Sequence, residues 1–354
     1  PYRRQRQMCI RDRYKYMLAA LVLALTACEN GDQDFPDYDY RTVYFAYQSP
    51  VRTLVLGEDP EVDNTIDNEH KCEIKATTGG GYSNPNNIVI RFTVDNTMVD
   101  GLYFKGTDRK IYPMPTTYYK LSSDQLEIPK GKDRGGVTVE FTQDFFNDSH
   151  TVENCYVIPL RMTHVEGADT ILRGKPVSEG SNRFVEGDWN IQPKDYILYC
   201  VKYINPWHAT YLRRGLDNIV GKSGHESLTK TEIRHAAYVE SDEVIQLTTS
   251  TYRSVKMELN AKDEAGTNIP YTVVLTFDEE GNCKVVSADP DNYQISGTGK
   301  FVEKGDKNSW GNKDRNALYL DYTVELPQLT CHTLDTLVVR NRGVVMETFT
   351  PELR

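Results

Sequence analysis

The stretch that decides the fold runs from Tyr271 to Ala288: YTVVLTF (271–277), DEEGN (278–282) and CKVVSA (283–288). β-Branched and aromatic residues fill two short segments, and apolar side chains recur at every second position. That period places them on one face of an extended chain. Glu280-Gly281-Asn282 is turn chemistry, so the two segments read as one antiparallel hairpin.

The same pattern extends outward from this hairpin in both directions. Strands are expected at 233–240, 244–249, 254–261, 293–302, 317–325 and 333–340, which with the first pair makes eight within about 145 residues. Eight antiparallel strands suit an up-and-down barrel, because closure removes exposed edges. Upstream, Ile204-Asn205-Pro206-Trp207-His208 interrupts the pattern, and a domain boundary is expected there. Before it lie RTVYFAY (41–47), 70–77, NIVIRFTVD (87–95), DQLEIP (124–129), GVTVEFT (136–142), NCYVIPLRMTH (154–164) and YILYCVKY (196–203). Their spacing and turn residues predict an Ig-like β-sandwich. The expected class is therefore all-β: a sandwich over 41–204 and a barrel over 205–354.

The first forty residues read differently. Residues 1–13 (PYRRQRQMCIRDR) resemble translated read-through of a sequencing adapter and are set aside, with the native start expected near Lys15 to Met17. Residues 14–27 read as a signal peptide: Lys15 supplies the charge, and YMLAALVLALTA (16–27) is an apolar run too short to span a bilayer. Leu25-Thr26-Ala27-Cys28 resembles a lipobox, which implies cleavage before Cys28 and acylation of that residue. Residues 28–40 form an acidic tether too polar to fold alone, similar to the signal that sends Bacteroidetes lipoproteins to the outer face of the outer membrane.

Of 354 residues, 41 are Lys or Arg and 51 are Asp or Glu, a formal charge of −10. Removing residues 1–27, with six Lys/Arg and one Asp, leaves 327 residues at −15. Such a surface argues against nucleic acid as a partner. Cys72, Cys155, Cys200, Cys283 and Cys331 are scattered, with no CxxC, so buried thiols are expected rather than a zinc site. His208, His225 and His235 match no metal spacing. Asp306, Asn308, Asn312 and Asp314 have calcium-type oxygens without EF-hand spacing. Asp278, Glu279 and Glu280 sit in a turn and read as solvated, and no hydrolase or P-loop motif is present. The chain is read as a non-enzyme without metal or cofactor.

The YRTVYFAYQ, LSSDQLEIP…GVTVEF and YVIPLRM stretches resemble a Bacteroidetes β-sandwich domain of unknown function (family 1735 type) found at the N-terminus of surface lipoproteins and of some family 18 glycoside hydrolases. NPWHATYLRRG, VVLTFDEEGNCKVVSA, ISGTGKFVEKGDKNSWGNKDRNALYLDY and DTLVVRNRGVVMETF resemble a lipocalin-like C-terminal domain of unknown function (family 5627 type). The resemblance implies a cell-surface lipoprotein encoded near glycan-import machinery, with a glycan and a TonB-dependent transporter complex as expected partners. An adhesin or fimbrial module is the rival reading, and a hydrolase-associated subunit the third.

The tentative ligand residues are aromatic. Trp310 lies in a polar, Gly-broken loop (KFVEKGDKNSWGNKD, 300–314), and Trp207 with Tyr211 opens the second half. Exposed aromatic faces stack on sugars, and loops carry function. Asp169-Thr170-Ile171 and Asp335-Thr336-Leu337 match the Bacteroidetes O-glycosylation tripeptide, making Thr170 and Thr336 candidate acceptors.

Overall fold

The computed structural model describes residues 40–354; the expected signal peptide, Cys28 and nearly all of the acidic tether lie outside the described residues. The chain is all-β, with a sheet-rich first half and a closed antiparallel barrel in the second. Among the described residues, no helix is long and apolar enough to cross a membrane.

The first half is a two-layer sandwich. One layer is built from Thr42–Tyr44, Lys71–Gly79 and Arg134–Phe141; the other from Gln125–Ile128, Ile88–Val94, Tyr156–Glu166, Tyr196–Ile204 and Pro50–Val55. The layers join at a single residue pair, Glu127 with Gly136. Alternate side chains of both layers, among them Ile74, Val139, Ile90, Leu160 and Val201, share one core. A second core lies behind Tyr196–Ile204, where Val99, Leu102, Phe104 and Ile111 cover Leu198 and Cys200. That strand is buried on both faces, which explains its near-continuous apolar run.

The barrel comprises eight strands: Ala209–Gly221, Glu243–Thr251, Ser254–Lys262, Asn268–Phe277, Asn282–Ser287, Gln294–Asp306, Arg315–Glu325 and Leu329–Asn341. The first and last pair along twelve register positions and close the cylinder. The count is the expected eight with one member exchanged. The stretch expected as strand 233–240 yields only Lys230–Arg234, an extra strand flanking the barrel on Ala209–Gly221. Inside, Gly297 and Gly299 let the wall come close: a Cβ at Gly297 would stand 2.4 Å from that of Tyr322, and one at Gly299 would stand 2.4 Å from Leu320 Cδ2. Only glycine lets those two large side chains fill the barrel.

The expected barrel segment ran to residue 354, whereas the barrel ends at Asn341 and the tail returns to the sandwich. Glu347–Thr348 pairs with Pro50–Val51, and Pro351–Leu353 with Leu102–Phe104. Phe349 packs on Phe104 with ring centroids 5.0 Å apart. An edge strand leaves unpaired backbone groups, and the tail supplies partners for them. Where the halves meet, the buried Arg342 guanidinium donates to four backbone carbonyls: Leu56 (2.9 Å), Glu58 (3.0 Å), Asn205 (2.7 Å) and His208 (2.8 Å). Asn205 Nδ2 donates to Thr251 O (3.0 Å) and Ser254 O (2.9 Å), fixing the linker to a barrel hairpin.

Candidate functional site

Inward positions on Ala209–Gly221 alternate through Ala209, Tyr211, Arg213, Gly215, Asp217 and Ile219. The first two are core. Arg213 and Asp217 carry charge into the barrel interior, where an ion can persist only if paired and hydrogen-bonded. The partner is Asp335 on the adjacent strand Leu329–Asn341, 3% exposed. Arg213 donates to it from Nε (3.1 Å) and Nη2 (3.0 Å). Arg234 Nη2 adds a bond of 2.8 Å, and the Tyr322 hydroxyl one of 3.0 Å. Asp217 accepts from Arg234 Nε (2.6 Å) and Nη2 (2.9 Å) and from Thr333 Oγ1 (2.8 Å). The result is a neutral quartet of two guanidinium groups and two carboxylates.

The quartet fixes protonation states. Burial alone would raise the Asp217 carboxyl, but the bonds from Arg234 and Thr333 outweigh it and hold it below the usual carboxylate range. Burial works against the charge on Arg213, yet Asp335 beside it more than compensates. Burial, reinforced by Asp335, pushes the Tyr322 phenol well above its ordinary value.

Above the quartet the barrel is hollow. A cavity of about 440 Å³ has Arg213, Asp217, Arg234, Glu243 and Tyr271 at its floor. Ser227 and Leu228, Lys262 and Glu264, and Leu326 and Leu329 bring three chain reversals to its mouth. The volume falls within the range of small-molecule sites.

The three aromatic candidates lie below the quartet, toward the linker end of the barrel. Tyr211 is 0% exposed and donates its hydroxyl to Trp207 O (2.9 Å), so the structure corrects its expected ligand role to a core one. Trp207 stacks on Phe277 with centroids 4.1 Å apart and rings 6° from parallel, so it seals the linker end of the core and does not wall a cleft. Trp310 is half-buried; its Nε1 donates to Val339 O (3.3 Å), and the Arg315 guanidinium covers its ring at 3.6 Å. Val339 pairs with Tyr211, one inward position below the quartet residue Arg213. The loop around Trp310 therefore packs back on the barrel beneath the quartet and does not line the cavity. Asp314, the last of the calcium-type oxygens, instead accepts from Asn308 N (3.0 Å) and Lys307 Nζ (2.9 Å).

Thr336 stands in mid-strand, and the Asp335 its tripeptide requires is sealed in the quartet, so the folded barrel does not present that motif. Thr170 is half-buried in a two-residue strand beside Thr42. The five described cysteines are free, and burial lifts the thiols of Cys72, Cys200 and Cys283 to about 12. Among the described residues, no group of three or more His, Cys, Asp or Glu comes together as a metal centre.

Residues 206–343 match the family described as a domain of unknown function, DUF5627, and residues 38–169 match a family described as an N-terminal domain. No curated protein is detectably similar. A structural-genomics protein of unknown function from Bacteroides ovatus is 50% identical, with a TM-score of 0.84 over 90% of this chain and 100% of that one. A multidomain Bacteroides ovatus protein including DUF1735 is 10% identical, with a TM-score of 0.40 over 86% of this chain and 97% of its own. A candidate carbohydrate binding protein from Bacteroides ovatus is 11% identical, with a TM-score of 0.26 over 87% and 97%. At that level of likeness neither of the last two bears on what this chain does. At 50% identity over the whole of the first, this chain belongs to the family of that Bacteroides ovatus protein.

Proposed function

We propose that this protein is a non-catalytic glycan-binding accessory lipoprotein of the outer-membrane surface, serving a polysaccharide-utilisation system, and that the barrel cavity is its binding site. The observation that carries the reading is the cavity itself: a space of about 440 Å³ whose lining offers charged donors and acceptors of both signs. Saccharide hydroxyls donate and accept, and a cavity lined by guanidinium groups and the half-exposed Glu243 carboxylate offers partners for both. Tyr271 adds an aromatic wall. A non-catalytic role is supported by Asp217, because glycoside cleavage needs a carboxylic acid with a raised pKa, and Arg234 holds this carboxyl low. The surface location rests on the lipobox reading of Cys28 and the acidic residues after it.

The test is a glycan array probed with the soluble chain from residue 29 onward. Selective binding of a saccharide class is the expected outcome, and an array without a binder would overturn the glycan reading. For the anchor, Cys28→Ala should abolish incorporation of labelled palmitate and release the protein from membranes; unchanged retention would sink that part.

A further inference from the structure

The quartet leaves one floor residue unspent. Asp335 receives both Arg213 nitrogens, Arg234 Nη2 and the Tyr322 hydroxyl, and Asp217 receives Arg234 twice and Thr333. Asp335 has no acceptor capacity left to offer a ligand, and Asp217 has three of its roughly four acceptor sites filled. Glu243 differs. It begins the strand Glu243–Thr251 beside Arg213, and its side chain is 49% exposed at the cavity wall. Only Oε2 is engaged, at 3.3 Å from Arg213 Nη1 and 4.0 Å from Arg234 Nη1. Arg234 Nη1 is buried without a hydrogen-bond partner, so Glu243 answers it by charge alone.

Resting on the glycan reading of this cavity, we propose that Glu243 is the ligand-facing acceptor of the site and that it selects neutral, hydroxyl-bearing saccharides over acidic ones. Arg213 holds Oε2 by a hydrogen bond and Arg234 draws it by charge, which leaves Oε1 for incoming hydroxyl donors. The free oxygen has two lone pairs, so it can accept from hydroxyls of a sugar ring while Oε2 stays with Arg213. Charge gives the second half of the argument. With Glu243 added to the neutral quartet, the floor carries one net negative charge. At the rim, Lys230 and Lys262 face Glu232, Asp263 and Glu264, which adds another. An acidic sugar would bring a third negative charge into a partly enclosed space, where Coulomb repulsion is less screened than on an open surface.

The experiment titrates the soluble chain with neutral hexose oligosaccharides and with uronic-acid oligosaccharides of matched length. Wild type, Glu243→Gln and Glu243→Ala are compared, with thermal melting confirming that each variant folds. Wild type should bind a neutral probe at least tenfold tighter than any acidic one, and the gap should narrow in high salt. Glu243→Gln keeps an acceptor and removes the charge. It should hold neutral binding within a few-fold and gain affinity for uronates, a reversal that a merely structural role would not produce. Glu243→Ala should lose neutral binding tenfold or more. Tighter binding of uronates by wild type, or neutral binding untouched in both variants, would overturn the assignment to Glu243 while leaving glycan binding intact. Failure of every probe would overturn the glycan reading and this inference with it.

Discussion

The sandwich and the barrel bury similar strands in opposite ways. The sandwich is an open path of strands, and it depends on other segments: residues 96–114 cover the back of Tyr196–Ile204, and the returning tail pairs with Pro50–Val51 and Leu102–Phe104. Its strand Tyr196–Ile204 is apolar on both sides. The barrel closes on itself through Ala209–Gly221 and Leu329–Asn341. Having no open edge, it keeps one enclosed face, packed at the linker end by Trp207 on Phe277 and left hollow and charged at the other. The lesson is about where a site can live. The sandwich buries single carboxylates, Asp67 against Arg52 and Asp195 against Arg183, whereas the closed cylinder gathers two carboxylates and two guanidinium groups from neighbouring strands at a cavity floor.

That contrast can be broken, and the largest effect should come from the barrel. Asp335→Ala would strand Arg213 and Arg234 without their shared partner, a loss of about 3–5 kcal/mol. Urea unfolding should show it, and replacing Arg213 and Asp335 together by apolar residues should restore part of the loss. Equal stability in Asp335→Ala would mean the quartet is not holding the barrel.

The junction should respond to pH. Burial, helped by the charges of Arg342 and Lys202, lowers His208 to about 4, and its Nδ1 accepts from Thr249 N at 3.0 Å as a neutral ring must. The unfolded chain therefore binds a proton here that the folded chain refuses between pH ~6.5 and ~4. Stability is full above the unfolded value and falls as the pH drops through that window, by about 3 kcal/mol from this group. His208→Gln should flatten the melting profile across the window; an unchanged slope would remove His208 as its cause.

Truncation after Arg342 should act on the sandwich alone. Removing Phe349 and the two short tail strands should cost about 2 kcal/mol, the scale of one large apolar side chain. Hydrogen exchange should quicken in 50–55 and 102–104 and stay unchanged in the barrel. Loss of protection in both halves would show that they share one cooperative unit. The smallest effect belongs to Trp310→Ala, about 1 kcal/mol from the lost Arg315 contact and partial burial, with saccharide affinity unchanged. A lower affinity would return the loop to the site.

Most strands were legible because their alternation is clean. Ala209–Gly221 was not read as a strand, although it closes the barrel, because Arg213, Gly215 and Asp217 occupy its inward positions and erase the apolar period. The same residues line the proposed site. Reading for aromatic residues pointed to Trp310, Trp207 and Tyr211, none of which lines the cavity. The signal available was charge at alternate positions of a strand-like run, seen again at Asp335 within CHTLDTLVV (331–339). Their convergence depends on strand neighbours more than a hundred residues apart, as does the tail's pairing with Pro50–Val55, so no local pattern carries it.

The central claim, that the hollow end of the barrel is the binding site, is tested most directly by filling it. Ala261 lines the cavity on the strand Ser254–Lys262, and Ala261→Trp would occupy the space from the wall. Calorimetric titration with the saccharide selected on the array should show wild-type binding and a loss of at least tenfold in the variant, at an unchanged melting temperature. Full affinity in a folded Ala261→Trp protein would place the binding surface elsewhere and contradict the account.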